Sequence, residues 1–205
     1  MTQKQWENSV KTMTADDQRL STAIFEYEDQ YFEDFTLKPD SILHDLLVYE
    51  VQDKKGNTFE DFDDLPAVME LGENYTFKIK KLKNCIGVCN TRLMKITIDP
   101  EYAENSAVIL HEMIHAYIDL FKKSKYAIIE TLFECLLLRL YNDLKTKIPD
   151  LEKRIIEHTH TIGQEDFKGK GSHGLLFFLK SLDLDLRLGL PLGRIYGYGR
   201  ENIAP

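Results

Sequence analysis

The pentapeptide His111-Glu112-Met113-Ile114-His115 limits what this chain can fold into more than any other stretch. Two histidines four residues apart on an α-helix lie one turn above the other on the same face, near enough for both imidazoles to hold one metal ion. The flanks favour that helix: Ser106 to Leu110 before the motif and Ala116 to Phe121 after it are helix-compatible, and apolar enough to bury most of the helix around its histidines. A zinc ion held by two histidines and a third protein ligand keeps one position open for water, whose pKa falls from about 16 to roughly 7 on the metal. Glu112, beside a ligand without being one, is suited to take that water's proton as general base and pass it to a leaving amine. The motif therefore predicts metal-assisted peptide hydrolysis.

Such a site needs a folded core. A chain of 205 residues with 43% hydrophobic and 11% aromatic content can bury one as a single domain and is short for two. We expect one domain over 1–205, an acidic helical N-terminal region over 1–74 leading into a catalytic core over 75–205. Charge divides the chain in the same place: residues 1–74 carry 6 Lys or Arg against 18 Asp or Glu, net -12, and the remainder is +4. Runs such as Glu26-Tyr27-Glu28-Asp29 and Glu60-Asp61-Phe62-Asp63-Asp64 would repel a phosphate backbone, and read as solvated acidic faces. Met1 to Asn8 is polar with no apolar run after it, and no stretch is long and uncharged enough to span a bilayer. Cys85, Cys89 and Cys135 do not make a disulfide framework. These features predict no membrane association and an intracellular, cytoplasmic protein, with the nucleus open to it in a eukaryotic cell.

Along the chain, Trp6, Val10, Met13, Leu20, Ala23, Ile24 and Tyr27 give a partial helical period over residues 3–34. A short helix through Ile42, Leu43 and Leu46 is expected after Pro39, then a turn at Lys54 to Asn57. From Asn74 the period changes to two: Tyr75, Phe77 and Ile79 alternate with polar residues, Ile86 to Cys89 is short and apolar, and Met94, Ile96 and Ile98 alternate again. Three strands in a small sheet are predicted, with Lys78, Lys80, Lys81 and Lys83 along a solvated face. Pro100 ends the last strand, and the motif helix begins around Tyr102 to Ser106. Helices are expected over Tyr126 to Tyr141 and from Pro149 to Ile162, and a last long helix from about His173 to Leu188, stopped by Gly189 and Pro191. That last assignment is ambiguous in the sequence, because leucines alternate from Leu182 to Leu192 as they would in a strand.

Cys85-Ile86-Gly87-Val88-Cys89, then Met94 to Pro100, then Ile109 to Tyr117 around the motif resembles the core of the SprT-like zinc metalloprotease family, a Spartan-like catalytic core, over about 35 residues. In that family a later His-Gly-x-x-Phe element supplies a third histidine, and His173-Gly174-Leu175-Leu176-Phe177 matches it. The resemblance implies a zincin-like α+β fold, mainly helical, with a small three-stranded sheet beside the active-site helix. It implies His111, His115 and His173 as ligands of Zn2+, Glu112 as catalytic base, and a protein or peptide substrate. DNA as a partner follows from the kinship only weakly, since the family's accessory DNA-binding segments have no counterpart in this sequence. Here 57 residues separate His115 from His173, so a helical insertion over about 124–162 must stand before the third ligand, folded away from the metal.

Other residues compete for that third position. Glu134, 18 intervening residues after His115, has the spacing of gluzincin-like peptidases, and His158 and His160 stand behind it. Glu130 and Glu134 share a helix face, where a buried hydrogen-bonding role is the plain reading. Tyr196 or Tyr198 could stabilise an oxyanion, or simply pack its ring. The sequence thus predicts a zinc metalloendopeptidase. Its rivals are a gluzincin-like peptidase using Glu134 and a non-catalytic, zinc-stabilised binding or regulatory protein. The oligomeric state is not written in it.

Overall fold

A computed structural model describes residues 13–35, 70–123, 127–162 and 173–201. Helix α1 (Ala15–Tyr31) starts at a capping box in which the Thr14 side chain accepts from Asp17 N and the Asp17 carboxylate accepts from Thr14 N. It buries Leu20, Ile24 and Tyr31 along one stripe, together with two acids that tie it to the rest of the core. Asp17 accepts from Ile79 N at 2.8 Å, and Glu28 from Leu71 N at 2.9 Å and from the Tyr117 hydroxyl. The expected elements at residues 3–12, 42–46 and 54–66 lie outside the described residues.

After a one-turn helix α2 (Leu71–Asn74) come three strands, β1 (Thr76–Ile79), β2 (Gly87–Asn90) and β3 (Lys95–Ile98), within a residue of the period-two segments. Their order is β1-β3-β2, with β1 parallel and β2 antiparallel to β3, Gly87 facing Ile98 and Asn90 facing Lys95. Phe77, Ile96 and Ile98 turn inward, as the alternation requires. Among the described residues β2 pairs on one side only, so it is a sheet edge. Lys78 pairs with Asp17, and Lys81 with Asp99 and Glu101, so half of the lysine strip is already engaged with carboxylates.

Asp99 and Pro100 turn the chain through a 3-10 segment into α3 (Ser106–Lys123), whose first amides, Ala107 N and Val108 N, are met by Asn105 Oδ1. From Ala107 to Phe121 every residue except His115 is buried, so α3 is the central element and the sheet packs beside it. The last helices are α4 (Ala127–Lys147), α5 (Leu151–Ile162), α6 (Leu175–Arg187) and α7 (Arg194–Glu201). The molecule is thus mainly helical with a small mixed sheet, an α+β architecture.

The insertion does not fold away from the site. Leu132, Leu136, Leu140 and Leu144 make a stripe on α4 that is buried against α6, and α5 brings His158 up to the segment before α6. An apolar stripe of four leucines has to find a partner, and here that partner is α6. Helix α6 resolves the leucine ambiguity in favour of a helix: Leu190 N bonds Asp185 O and Gly189 N bonds Leu186 O, with Gly189 at φ +65°, a left-handed stop that glycine adopts without a Cβ penalty. The helix α7 beyond it is not anticipated by the sequence, whose two internal glycines argue against one. No helix among the described residues is long and apolar enough to cross a membrane.

Candidate metal centre

His111 and His115, one turn apart on α3, converge with His173, which lies one residue before Gly174, the N-cap of α6. One nitrogen from each ring falls within 4.8 Å of the others. His115 Nε2 is 3.1 Å and His173 Nε2 3.4 Å from His111 Nε2. Tetrahedral ligands at a Zn–N distance of roughly 2.0–2.1 Å stand about 3.3 Å apart, so both separations fit two edges of one coordination sphere. Three imidazole nitrogens at this spacing place lone pairs against one another unless a cation, or protons on the neighbours, lies between them.

The His111 imidazole is fixed from behind. The His111 Nδ1 donates to Ile195 O at 2.8 Å, a bond that leaves its Nε2 as the lone-pair nitrogen directed at the other two rings. Burial, and then the charges of His115 and His173, hold the His111 pKa well below the usual 6.5, so the ring is in the neutral form that metals bind. Ile195 is in turn set by Asp185 on α6, fully buried, whose Oδ1 accepts from Ile195 N at 3.0 Å and Oδ2 from Gly193 N at 2.7 Å. Phe177 forms an apolar floor, its ring centroid 4.8, 4.6 and 4.7 Å from those of His111, His115 and His173. On the far side, His158 Nε2 donates to His173 O at 3.1 Å while its ring stacks on Phe178.

Glu112 is 3% exposed and lies beneath β2. A Cβ on Gly87 would come 2.9 Å from Glu112 Oε1 and 3.0 Å from Val108 Cγ1, so the absence of a side chain at Gly87 is what gives the carboxylate its room. Nearby, burial and the Glu112 and Asp119 carboxylates push the Cys89 thiol up to about 12, which keeps it a neutral thiol. Asp119, a further turn beyond His115, is taken up by the Tyr75 hydroxyl and Lys123 Nζ, each at 2.6 Å. None of Cys85, Cys89 and Cys135 is in a disulfide.

The structure brings His111, His115 and His173 together and places Glu112 next to them on α3, but it sets the other expected ligands apart. Glu134 and Glu130 are exposed, on the face of α4 opposite its leucine stripe, so the buried role expected for them is corrected: the stripe decides which way α4 faces, and the acids take the solvent side. His158 is buried but lies outside the three-histidine group, and its Nε2 is committed to a backbone carbonyl. The His160 and Tyr198 side chains, and Ser172, lie outside what the structure describes; the N-cap of α6 is Gly174. Tyr196 does pack its ring by the site, 5.7 Å from His173 and 4.7 Å from His158 between centroids. Sequence reasoning missed Ile195 and Asp185, because a backbone carbonyl has no sequence signal and Asp185 reads as one more charge among leucines. Set beside protein families, curated proteins and solved structures, the chain matches none of them.

Proposed function

We propose that this protein is a zinc-dependent endopeptidase of SprT-like character, with His111, His115 and His173 as metal ligands and Glu112 as general base. The observation that carries the reading is the convergence of three imidazole nitrogens beside a buried glutamate that is not one of them. An all-nitrogen set of three suits zinc in its catalytic form, in which three protein ligands leave a position open. When bound, zinc supplies Lewis acidity, making water nucleophilic at neutral pH and polarising a carbonyl oxygen. Glu112 takes the proton of the attacking water and returns it to the amine nitrogen as the peptide bond breaks. Tyr196, whose ring packs against His173, is a candidate to donate its hydroxyl to the oxygen that gains charge. The β2 backbone at Gly87 lies against the carboxylate, which is buried from bulk water.

A polypeptide substrate is supported by the sheet edge. Gly87, on β2, passes directly over Glu112, and an extended chain laid along that edge would bring a peptide bond to the base. DNA stays weakly supported as a partner, since two of the four lysines of the strip, Lys78 and Lys81, are engaged by carboxylates. The exposure of Glu134 removes the support for a gluzincin-like site. A purely structural zinc site has no use for the buried glutamate.

Replacing Glu112 by Gln is the test. The purified wild type should carry about one zinc and cleave flexible polypeptides. Glu112→Gln should keep the metal and lose cleavage by a factor on the order of 10²–10⁴. Equal cleavage by both proteins would overturn the base assignment, and a zinc-loaded wild type with no cleavage at all would favour the non-catalytic reading.

A further inference from the structure

The insertion that separates this chain from the family it resembles ends in α5, and α5 carries a buried histidine that takes no place among the three converging nitrogens. His158 is 6% exposed. Its ring lies flat on Phe178, with centroids 4.2 Å apart and 7° between planes, and meets the edge of Tyr196. Its Nε2 is 3.1 Å from the carbonyl oxygen of His173. A carbonyl can only accept, so the imidazole donates through Nε2.

The position of that bond gives it a consequence. His173 is not held by a helix as His111 and His115 are, for α6 begins only at Leu175 and its N-cap Gly174 makes no side-chain cap. A residue at the start of a helix has backbone freedom that interior residues have lost. Its backbone carbonyl accepts from the imidazole of His158, on a helix from the insertion. Phe178, on which His158 stacks, is itself in the first turn of α6, so the same imidazole grips the α6 start through its face and the residue before it through its nitrogen.

We infer that His158 is a positioning residue for the third metal ligand: it fixes the His173 backbone so that the His173 imidazole meets those of His111 and His115, and the insertion is thereby a working part of the metal centre. The inference rests on the three-histidine reading above. It predicts that removing the donor while keeping the ring weakens metal binding without weakening the fold. His158→Phe does this, since a phenyl ring can stack on Phe178 but has no N–H. His158→Gln restores a donor, its amide nitrogen having about the reach of imidazole Nε2.

The measurement is zinc affinity of the full chain by competition with a chromogenic chelator, alongside the melting temperature of the metal-free protein and the visible spectrum of the cobalt-loaded protein. His158→Phe should lose about 10- to 100-fold in zinc affinity, the range for a partner that orients a ligand, with an altered cobalt spectrum and an apo melting temperature near that of wild type. His158→Gln should recover most of the affinity and the wild-type spectrum. Wild-type affinity in His158→Phe overturns the inference. So does a loss in both variants that merely follows a fall in apo melting temperature, because the histidine would then only pack. A wild-type chain that binds no zinc overturns the metal-centre reading, and this inference with it.

Discussion

The two halves of the candidate metal centre are built by different physics. His111 and His115 stand on one helix, where 3.6 residues per turn sets their separation and a mostly apolar surround buries α3 in the middle of the molecule. His173 comes from a chain segment that three other elements must hold: α6 through Phe177 and Phe178, α5 through His158, and α7, whose Tyr196 ring packs against it. The first half is local and needs only a helix; the second exists only when the insertion and the C-terminal helix have docked. Ligand geometry is therefore only as good as the contacts that arrive from furthest along the chain.

The largest effect should come from breaking the distant half. His173→Ala should weaken zinc by orders of magnitude, beyond the 10- to 100-fold typical of residues behind a ligand, while Glu134→Ala leaves the metal bound. Chelator competition ranks the two, and the reverse ranking would mean that the leucine stripe of α4 does not face as described. The local half breaks differently. In Gly87→Ala the new Cβ falls within 2.9 Å of Glu112 Oε1, and pushing the carboxylate aside should lower kcat about 10- to 100-fold at unchanged zinc affinity. Unchanged kcat would mean that Glu112 has another productive position.

Asp185→Asn probes the support behind His111. An amide replaces one of two carboxylate oxygens that each accept a backbone N–H, so a donor meets a donor. The cost should be about 1–3 kcal/mol of stability, read by chemical denaturation, with a loss of zinc affinity on the order of tenfold as Ile195 O shifts from His111. A variant as stable as wild type and equal in zinc affinity would show that α7 is placed by its apolar contacts alone.

The smallest effect concerns Glu28, on α1 and away from the metal. Burial raises its pKa above the ordinary 4.5. The folded chain then keeps this proton to higher pH than the unfolded chain does, so the contribution of Glu28 to stability is full below 4.5 and declines as pH rises through the raised folded value. Glu28→Gln has no charge to bury and keeps an Oε1 for Leu71 N and the Tyr117 hydroxyl. It should flatten that decline in denaturation midpoints measured from pH 4.5 to neutrality; superimposable profiles would show that the charge is not felt by the fold.

Much of this was legible in the residues because it is periodic or covalently local. The strands over Thr76–Ile79 and Lys95–Ile98 follow alternation, that over Gly87–Asn90 follows a short apolar run, and the stop of α6 follows from Gly189. Helix α7 was illegible for a physical reason: Arg194 to Glu201 includes Gly197 and Gly199, which cost helix propensity, and its start is held by a carboxylate from another helix. The course of the insertion was illegible too, since an apolar stripe announces that it must be covered without saying by what.

By itself the sequence determined the motif helix, its two histidines on one face and the glutamate between them, because these depend on residue type and on the pitch of a helix. The tertiary structure alone decided that His173 meets them, that Ile195 O holds the His111 imidazole from behind while His158 bonds the His173 backbone, and that Gly87 leaves room for Glu112. Those are distances between residues far apart in the chain, and they are set by which apolar faces find each other when the core closes.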